Sequence, residues 1–244
     1  MKLRGANILV TGGAKRVGRI IALTLAAQGA NILLHYRSST KEARDLCEQI
    51  RDYPVQAKAF KADLRKLFQV RRMVRQAWKA FGGIDVLVNS ASVFFRTPIE
   101  TLTEKEWDLT LDTNLKGNFF LAREVGLLMA ERGSGKIINI ADWAGARPYK
   151  NYLPYCISKA GVLAMTKGLA RTFAPAVSVN AISPGPILLP PDLGPEDKEK
   201  IIHGTPLHRI GSPDDIAAAV KILIEGTDFM TGSILTVDGG RLIA

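Results

Sequence analysis

The stretch from Asn7 to Ala26 constrains the fold more than any other part of the chain. Asn7-Ile8-Leu9-Val10 is a short unbroken apolar run, as expected of a strand buried on both faces. It ends in Thr11-Gly12-Gly13-Ala14-Lys15-Arg16-Val17-Gly18-Arg19. Ile20, Ile21, Leu23, Leu25 and Ala26 then read as a mostly buried helix. Strand, glycine turn and helix in that order aim backbone N–H groups and the positive end of a helix dipole at one spot, which suits a phosphate. The competing reading is an ordinary tight turn. The βα context favours the phosphate.

A second strand, Asn31 to His35, ends in Tyr36-Arg37-Ser38-Ser39. In a dinucleotide site this strand end reads the adenosine ribose. An acidic residue there would accept from the 2′-hydroxyl and select NAD. Arg37, with Lys15 or Arg16 near the turn, instead suits a 2′-phosphate, and the two serines can donate to it. The expected cofactor is therefore NADP(H), against the reading of Arg37 as a solvated loop charge.

The rest of the chain keeps alternating. Lys41 to Asp52 predicts a helix and Val55 to Ala62 a strand. Asp63 comes next, either accepting from an adenine amine or capping the next helix near Leu64 to Lys66. Ile84 to Val88 is a fourth strand, ending in the small polar run Asn89-Ser90-Ala91-Ser92 and then Val93-Phe94-Phe95. Trp107 to Arg132 reads as one long helical region containing Asn114, Lys136 to Ile140 as strand five with Asp142 just beyond, and Tyr152 to Phe173 as a helix. Val177 to Ile182 is strand six, followed by Ser183-Pro184-Gly185-Pro186-Ile187. The proline-rich 188–206 stretch predicts a flap with a short helix near Glu196 to Ile202. A helix from Pro213 and a last strand, Ile234 to Val237, complete the series. Alternation of this kind predicts a parallel sheet with helices on both faces, and without a linker or repeat the 244 residues read as one domain.

Tyr155 and Lys159 are four apart, so a helix puts both side chains on one face. An ammonium beside a phenol is expected to ease its ionisation. Y-x-x-x-K alone is a weak signal. The cofactor turn upstream gives it meaning.

Composition narrows the classes. No apolar run approaches a membrane span, and the start of the chain lacks a signal-peptide core. Cys47 and Cys156 are the only cysteines and form no C-x-x-C pair, so a disulfide scaffold or a metal site is not expected and a reducing cytoplasm is. The net charge of +10 is spread along the chain without aromatic interleaving, which speaks for attraction to small anions rather than specific nucleic-acid binding.

The chain resembles the short-chain dehydrogenase/reductases over essentially its whole length. The matching pieces are Thr11-Gly12 with Gly18, Asp63, Asn89 and Ala91, Asn114, Tyr155-x-x-x-Lys159, Pro184-Gly185, Thr231-Gly232 and Val237-Asp238-Gly239-Gly240. The resemblance implies a Rossmann-type doubly wound sheet of about seven parallel strands in the order 3-2-1-4-5-6-7. It implies a catalytic set of Asp142, Tyr155, Lys159 and Asn114, with Asn114 ordering a water toward Lys159. The cofactor set is Gly12, Lys15, Arg16, Val17, Gly18, Tyr36, Arg37, Ser38, Ser39, Asp63, Leu64, Asn89, Ala91, Tyr155, Lys159, Pro184, Gly185 and Ile187. It also implies a homotetramer or dimer.

Two residues depart from the family pattern. Arg16 stands where the middle glycine of the turn belongs, and Asp142 where a serine is usual. These, with His35-Tyr36-Arg37-Ser38 and Phe94, look like pteridine reductases and the related dihydromonapterin and dihydrofolate reductases. An ionised carboxylate only accepts, so Asp142 points to the N–H or amino group of a nitrogen heterocycle rather than a ketone oxygen, unless it is merely a cap or an ion-pair partner. The expected reaction is NADPH-dependent reduction of a pterin-like ring held by Arg16, Ser92, Phe94, Asp142 and Tyr155, with Phe94 stacked on one ring face. The alternatives are a general carbonyl or 3-oxoacyl-thioester reductase of the same fold, and a non-catalytic NADP(H)-binding module.

Overall fold

The computed structural model describes residues 1–189 and 193–244. The first half runs β1 (Asn7–Val10), α1 (Arg16–Ala27), β2 (Asn31–Tyr36), α2 (Thr40–Ile50), β3 (Ala57–Lys61), α3 (Leu67–Phe81) and β4 (Val86–Asn89). Next come α4 (Glu104–Leu111), a π turn (Asp112–Gly117), α5 (Asn118–Arg132), β5 (Gly135–Ile140), a 3-10 turn (Trp143–Gly145) and α6 (Leu153–Phe173). The chain closes with β6 (Val177–Pro184), α7 (Pro195–His203), α8 (Pro213–Glu225) and β7 (Ile234–Val237).

All seven strands lie in one sheet, parallel at every pairing, in the order β3-β2-β1-β4-β5-β6-β7. This is the expected order. It reverses direction between β1 and β4, where the carboxyl ends of two strands part and leave a crevice.

The strands are apolar throughout because both faces are covered. Alternate residues go to opposite sides. Ile8, Val10, Ile32, Leu34, Val86 and Val88 pack against α1, α2 and α8, whereas Leu9, Leu33, Leu87, Ile137 and Val179 pack against α3, α5 and α6. Each fully buried aliphatic side chain contributes roughly 1.5–3 kcal/mol, so this double layer holds the crevice rigid.

The region from Trp107 to Arg132 is helical throughout, as expected, but carries a π turn. It starts earlier, at Glu104, because Thr103 and Glu106 form a reciprocal capping box. The π turn then widens it, bringing Asn114 inward toward Val93. The flap expected over 188–206 carries α7 on its far side; its residues 190–192 lie outside the described residues.

Candidate active site

The glycine turn closes over the crevice. Gly12 has φ +61°, and a Cβ there would sit 3.0 Å from the Cα of Ala91, so the turn is pressed onto the end of β4. At Gly18 a Cβ would meet the Gly12 carbonyl oxygen at 2.7 Å, so only glycine lets α1 come this close. Thr11 Oγ1 accepts from the N–H groups of Ser90 and Ala91, both at 2.9 Å, tying the turn to β4. Arg16 holds φ +54°, the left-handed conformation of the glycine it replaces, and its guanidinium reaches the Leu188 carbonyl at 3.4 Å. It thereby bridges the crevice to the start of the flap.

At the end of β2, Tyr36 and Ser39 are half-buried and Arg37 and Ser38 exposed. Arg37 forms no ion pair among the described residues. Lys15, expected beside it at a phosphate, is instead paired with Glu42 at 2.6 Å. Asp63 is not the cap of α3, which starts at Leu67 after an uncapped Lys66. Its carboxylate accepts from the Arg65 guanidinium at 2.5 Å, and that pairing, reinforced by the Arg65 N–H and Arg37, holds its pKa down. Leu64 is buried beneath Gly117 of the π turn.

Across the crevice, α6 carries the reactive cluster. The Tyr155 hydroxyl donates to Asp142 Oδ2 at 2.7 Å. Oδ1 accepts from the Ala144 N–H at 2.8 Å, and from the Tyr149 hydroxyl at 3.1 Å. Asp142 is thus both the cap of the 3-10 turn and the partner of Tyr155. Burial raises its pKa against these bonds and the charge of Lys159. Lys159 is buried; its Nζ donates to the Ile140 carbonyl at 2.8 Å and lies 5.5 Å from the centre of the Tyr155 ring. Burial lowers its pKa to about 8.

The expected easing of Tyr155 ionisation does not hold. Burial, and then the negative charge of Asp142 at hydrogen-bond distance, push the phenol well above its usual range. The carboxylate outweighs the more distant ammonium. Tyr155 is held as a phenol.

Asn114 is fully buried; its Oδ1 accepts from the Val93 N–H at 2.8 Å, and its Nδ2 donates to the Val93 carbonyl and to Ser158 Oγ. Ser158 in turn donates to the Tyr155 carbonyl at 2.6 Å. Asn114 thereby links the loop after β4 to the α6 turn of Tyr155. The Asn89 side chain does not line the crevice. It is buried and donates to Asn139 Oδ1 at 2.9 Å, inside a chain that continues to Thr166. Phe94 is 41% exposed and does stack on an aromatic ring, but on Tyr152 of the same chain, at 4.5 Å and 5°. Its edge meets Tyr155 at 4.7 Å. Ser92 is exposed beside it. Gly185 is backed by Asp238, its N–H donating to Val237 at 3.0 Å, so Pro184-Gly185 leaves the sheet at the same crevice. Ile187 packs half-buried against the core on that side.

Two residues at the site, Tyr149 and Tyr152, are not among those singled out by sequence, and His35 enters the sequence reading only within the strand-end motif. Tyr149 and Tyr152 precede Tyr155 at three-residue intervals, a spacing that signals one aromatic cluster. His35 is a buried polar residue following the apolar run Ile32-Leu33-Leu34, a signal in itself.

A family model described as enoyl-(acyl carrier protein) reductase matches residues 12–241, which span the turn, the Tyr155 cluster and the last strand. The chain belongs to the short-chain dehydrogenase/reductase family. This short-chain oxidoreductase is 36% identical to a 3-oxoacyl-(acyl-carrier-protein) reductase of Staphylococcus epidermidis over 238 residues, 96% of this chain and 98% of that one. It is 35% identical to an NAD-dependent glycerol dehydrogenase of Listeria innocua, over 96% of this chain and 93% of that one. Among solved structures, a candidate short-chain alcohol dehydrogenase from Sinorhizobium meliloti superposes with a TM-score of 0.94 at 31% identity, over 100% of this chain and 98% of that one. A candidate gluconate dehydrogenase from Agrobacterium tumefaciens gives 0.93 at 30%, with the same coverage. None of these relatives is named for a pterin, and they favour the carbonyl-type alternative over the pterin expectation.

Proposed function

We propose that the protein is an NADPH-dependent carbonyl reductase with a 3-oxoacyl thioester as its substrate class. The observation that carries this reading is Tyr155, held as a phenol between Asp142 and Lys159 at the mouth of the crevice. A phenol that keeps its proton serves reduction, which needs a donor; oxidation of an alcohol would need the phenolate. The full-length likeness to 3-oxoacyl reductases supports the substrate class.

The residues present fit a nicotinamide dinucleotide. Gly12 and Gly18 let the turn lie close against β4 and the start of α1, where a Cβ would clash, and Arg37 stands without an ion-pair partner among the described residues beside Ser38 and Ser39, which suits a 2′-phosphate. The turn from Gly12 to Gly18 would hold the pyrophosphate, Asp63 and Leu64 the adenine, Ala91 the near wall, Tyr155 and Lys159 the nicotinamide ribose, and Pro184, Gly185 and Ile187 the nicotinamide. When bound, the cofactor supplies the hydride. Tyr155 gives its proton to the carbonyl oxygen and Lys159 stabilises the phenolate left behind. In this reading Asp142 donates to the same oxygen only when protonated, the form toward which burial shifts it, as the usual serine hydroxyl would; burial alone then keeps Tyr155 a phenol.

One observation favours a second reading, the pterin-like ring. Asp142 accepts from two tyrosine hydroxyls, the behaviour of an acceptor ready for a ring N–H or amino group. The readings demand opposite pH profiles. If protonated Asp142 works, kcat/KM falls as pH rises through its elevated pKa; if the ionised form works, kcat/KM falls as pH drops through it. NADPH oxidation with acetoacetyl thioester, dihydrobiopterin and dihydrofolate across pH decides between them, and turnover of the pterins alone would reverse their order. Tyr155→Phe should lower turnover on the true substrate by at least ~10²-fold, the scale of general-acid assistance, with NADPH still bound. Arg37→Ala should raise KM for NADPH much more than for NADH; equal effects would remove the 2′-phosphate assignment. We further propose that copies associate as a dimer or tetramer, and that the buried, unpaired Cys47 and Cys156 suit a reducing compartment.

A further inference from the structure

We infer that His35 is a positioning residue for the cofactor: its imidazole, wedged between the glycine turn and the end of β3, sets the shape of the turn and its spacing from the adenosine side of the crevice. This rests on the cofactor reading above.

His35 is the only polar side chain in the middle of β2 and is 2% exposed. Both ring nitrogens are nevertheless used. The Gly12 N–H donates to Nδ1 at 3.2 Å, so Nδ1 carries the lone pair. The proton therefore lies on Nε2, which donates to the Ala62 carbonyl at 3.0 Å. The His35 carbonyl also accepts from the Gly13 N–H at 3.2 Å. One residue thus takes two consecutive N–H groups of the turn, leaving those further along it to face a phosphate.

The other end of the imidazole holds Ala62, the residue before Asp63. Ala62 N–H donates to the Tyr36 carbonyl at 3.1 Å, so β2 and β3 stay joined just where Arg37 and Asp63 emerge. From the opposite side, Ala91 presses on Gly12. Gly12 is thereby gripped between an imidazole and the end of β4, which is what holds its left-handed φ. An imidazolium would set an Nδ1–H against the Gly12 N–H, donor against donor. Burial guards against this, lowering the His35 pKa to about 4.

The test begins with wild-type protein. A long-range ¹H–¹⁵N correlation spectrum at neutral pH should show one buried imidazole as the neutral Nε2–H tautomer; His203 and His208, both exposed, are the only other histidines. An Nδ1–H tautomer or an imidazolium would overturn the inference, whatever the variants do. NADPH titration by fluorescence should then show Kd rising about 10-fold in His35→Phe, the scale of one lost hydrogen bond, with kcat at saturating NADPH within a few-fold of wild type. His35→Asn, whose Oδ1 can replace the Nδ1 acceptor, should restore most of the affinity. Unchanged affinity in a folded His35→Phe, or equal loss in Phe and Asn variants, would sink the proposal. If wild type binds neither NADPH nor NADH, the cofactor reading itself fails and this inference goes with it.

Discussion

Asp142 concentrates the chemistry of this site in one carboxyl group. Three donors converge on it, from Ala144, Tyr149 and Tyr155, yet burial still lifts its pKa above the unfolded value. Below the unfolded pKa the group is protonated in both states and costs nothing. As pH rises through the folded pKa, ionisation costs more in the native state, so native stability is lost. Asp142→Asn should therefore raise the midpoint of urea unfolding at neutral pH, with the gain vanishing in acid, while turnover falls. A neutral amide keeps an acceptor for the Ala144 N–H, but its Nδ2 only donates, so it cannot accept from the Tyr155 hydroxyl, ionise or transfer a proton. A variant less stable than wild type at pH 7 would show that the three hydrogen bonds outweigh the desolvation. Stability given up at a reactive residue is the expected pattern for a functional site.

At the scale of the element, the decisive joint is between the glycine turn and α1. The helix must approach the turn within contact distance of the Gly12 carbonyl for its first N–H groups to face the crevice. Gly18→Ala puts a methyl 2.7 Å from that oxygen. The clash lies against backbone rather than a flexible side chain, so α1 must shift. Unfolding in urea should show a loss of about 1–3 kcal/mol, as overpacking usually does. NADPH affinity should fall as well, because the displaced helix no longer points at the phosphates. Retained affinity with lost stability would mean that the N–H groups of the turn act without the helix. The π turn between α4 and α5 is a second joint of this kind. Its extra residue brings Asn114 against Val93 and Ser158, coupling the β4 loop to α6.

The whole molecule carries a net charge of +10 and exposes apolar side chains on helices that cover one face of the sheet. Among the described residues no helix is long and apolar enough to cross a membrane. Phe119 and Leu127 on α5 and Leu153 and Ile157 on α6 are each more than a third exposed. Side chains of this size on two packed helices support the proposal that these helices meet another copy. Sedimentation velocity should give a dimer or tetramer, and the double change Leu127→Asp with Ile157→Asp should shift it toward monomer. A wild-type monomer at micromolar concentration would remove the proposal, and leave these residues as scattered surface apolars.

The local pattern of the chain was enough to determine the architecture. Strands four to eight residues long, alternating with helical stretches, allow little besides a parallel sheet covered on both faces, and the strand order that the family resemblance implies is the one formed. The chemical types at the site were legible for the same reason: Thr11-Gly12, Gly18, Tyr155 and Lys159 act through spacing along a single element. What the sequence could not show was which groups meet across elements. Nothing in the spacing said that Lys15 would pair with Glu42, that Asn89 would turn into the core, that Tyr152 would stack on Phe94, or that Asp142 would hold Tyr155 as a phenol. Those outcomes depend on burial and on distances of a few ångströms between residues far apart in the chain. Electrostatics inside a folded protein are set by such distances, so only the tertiary structure decided them.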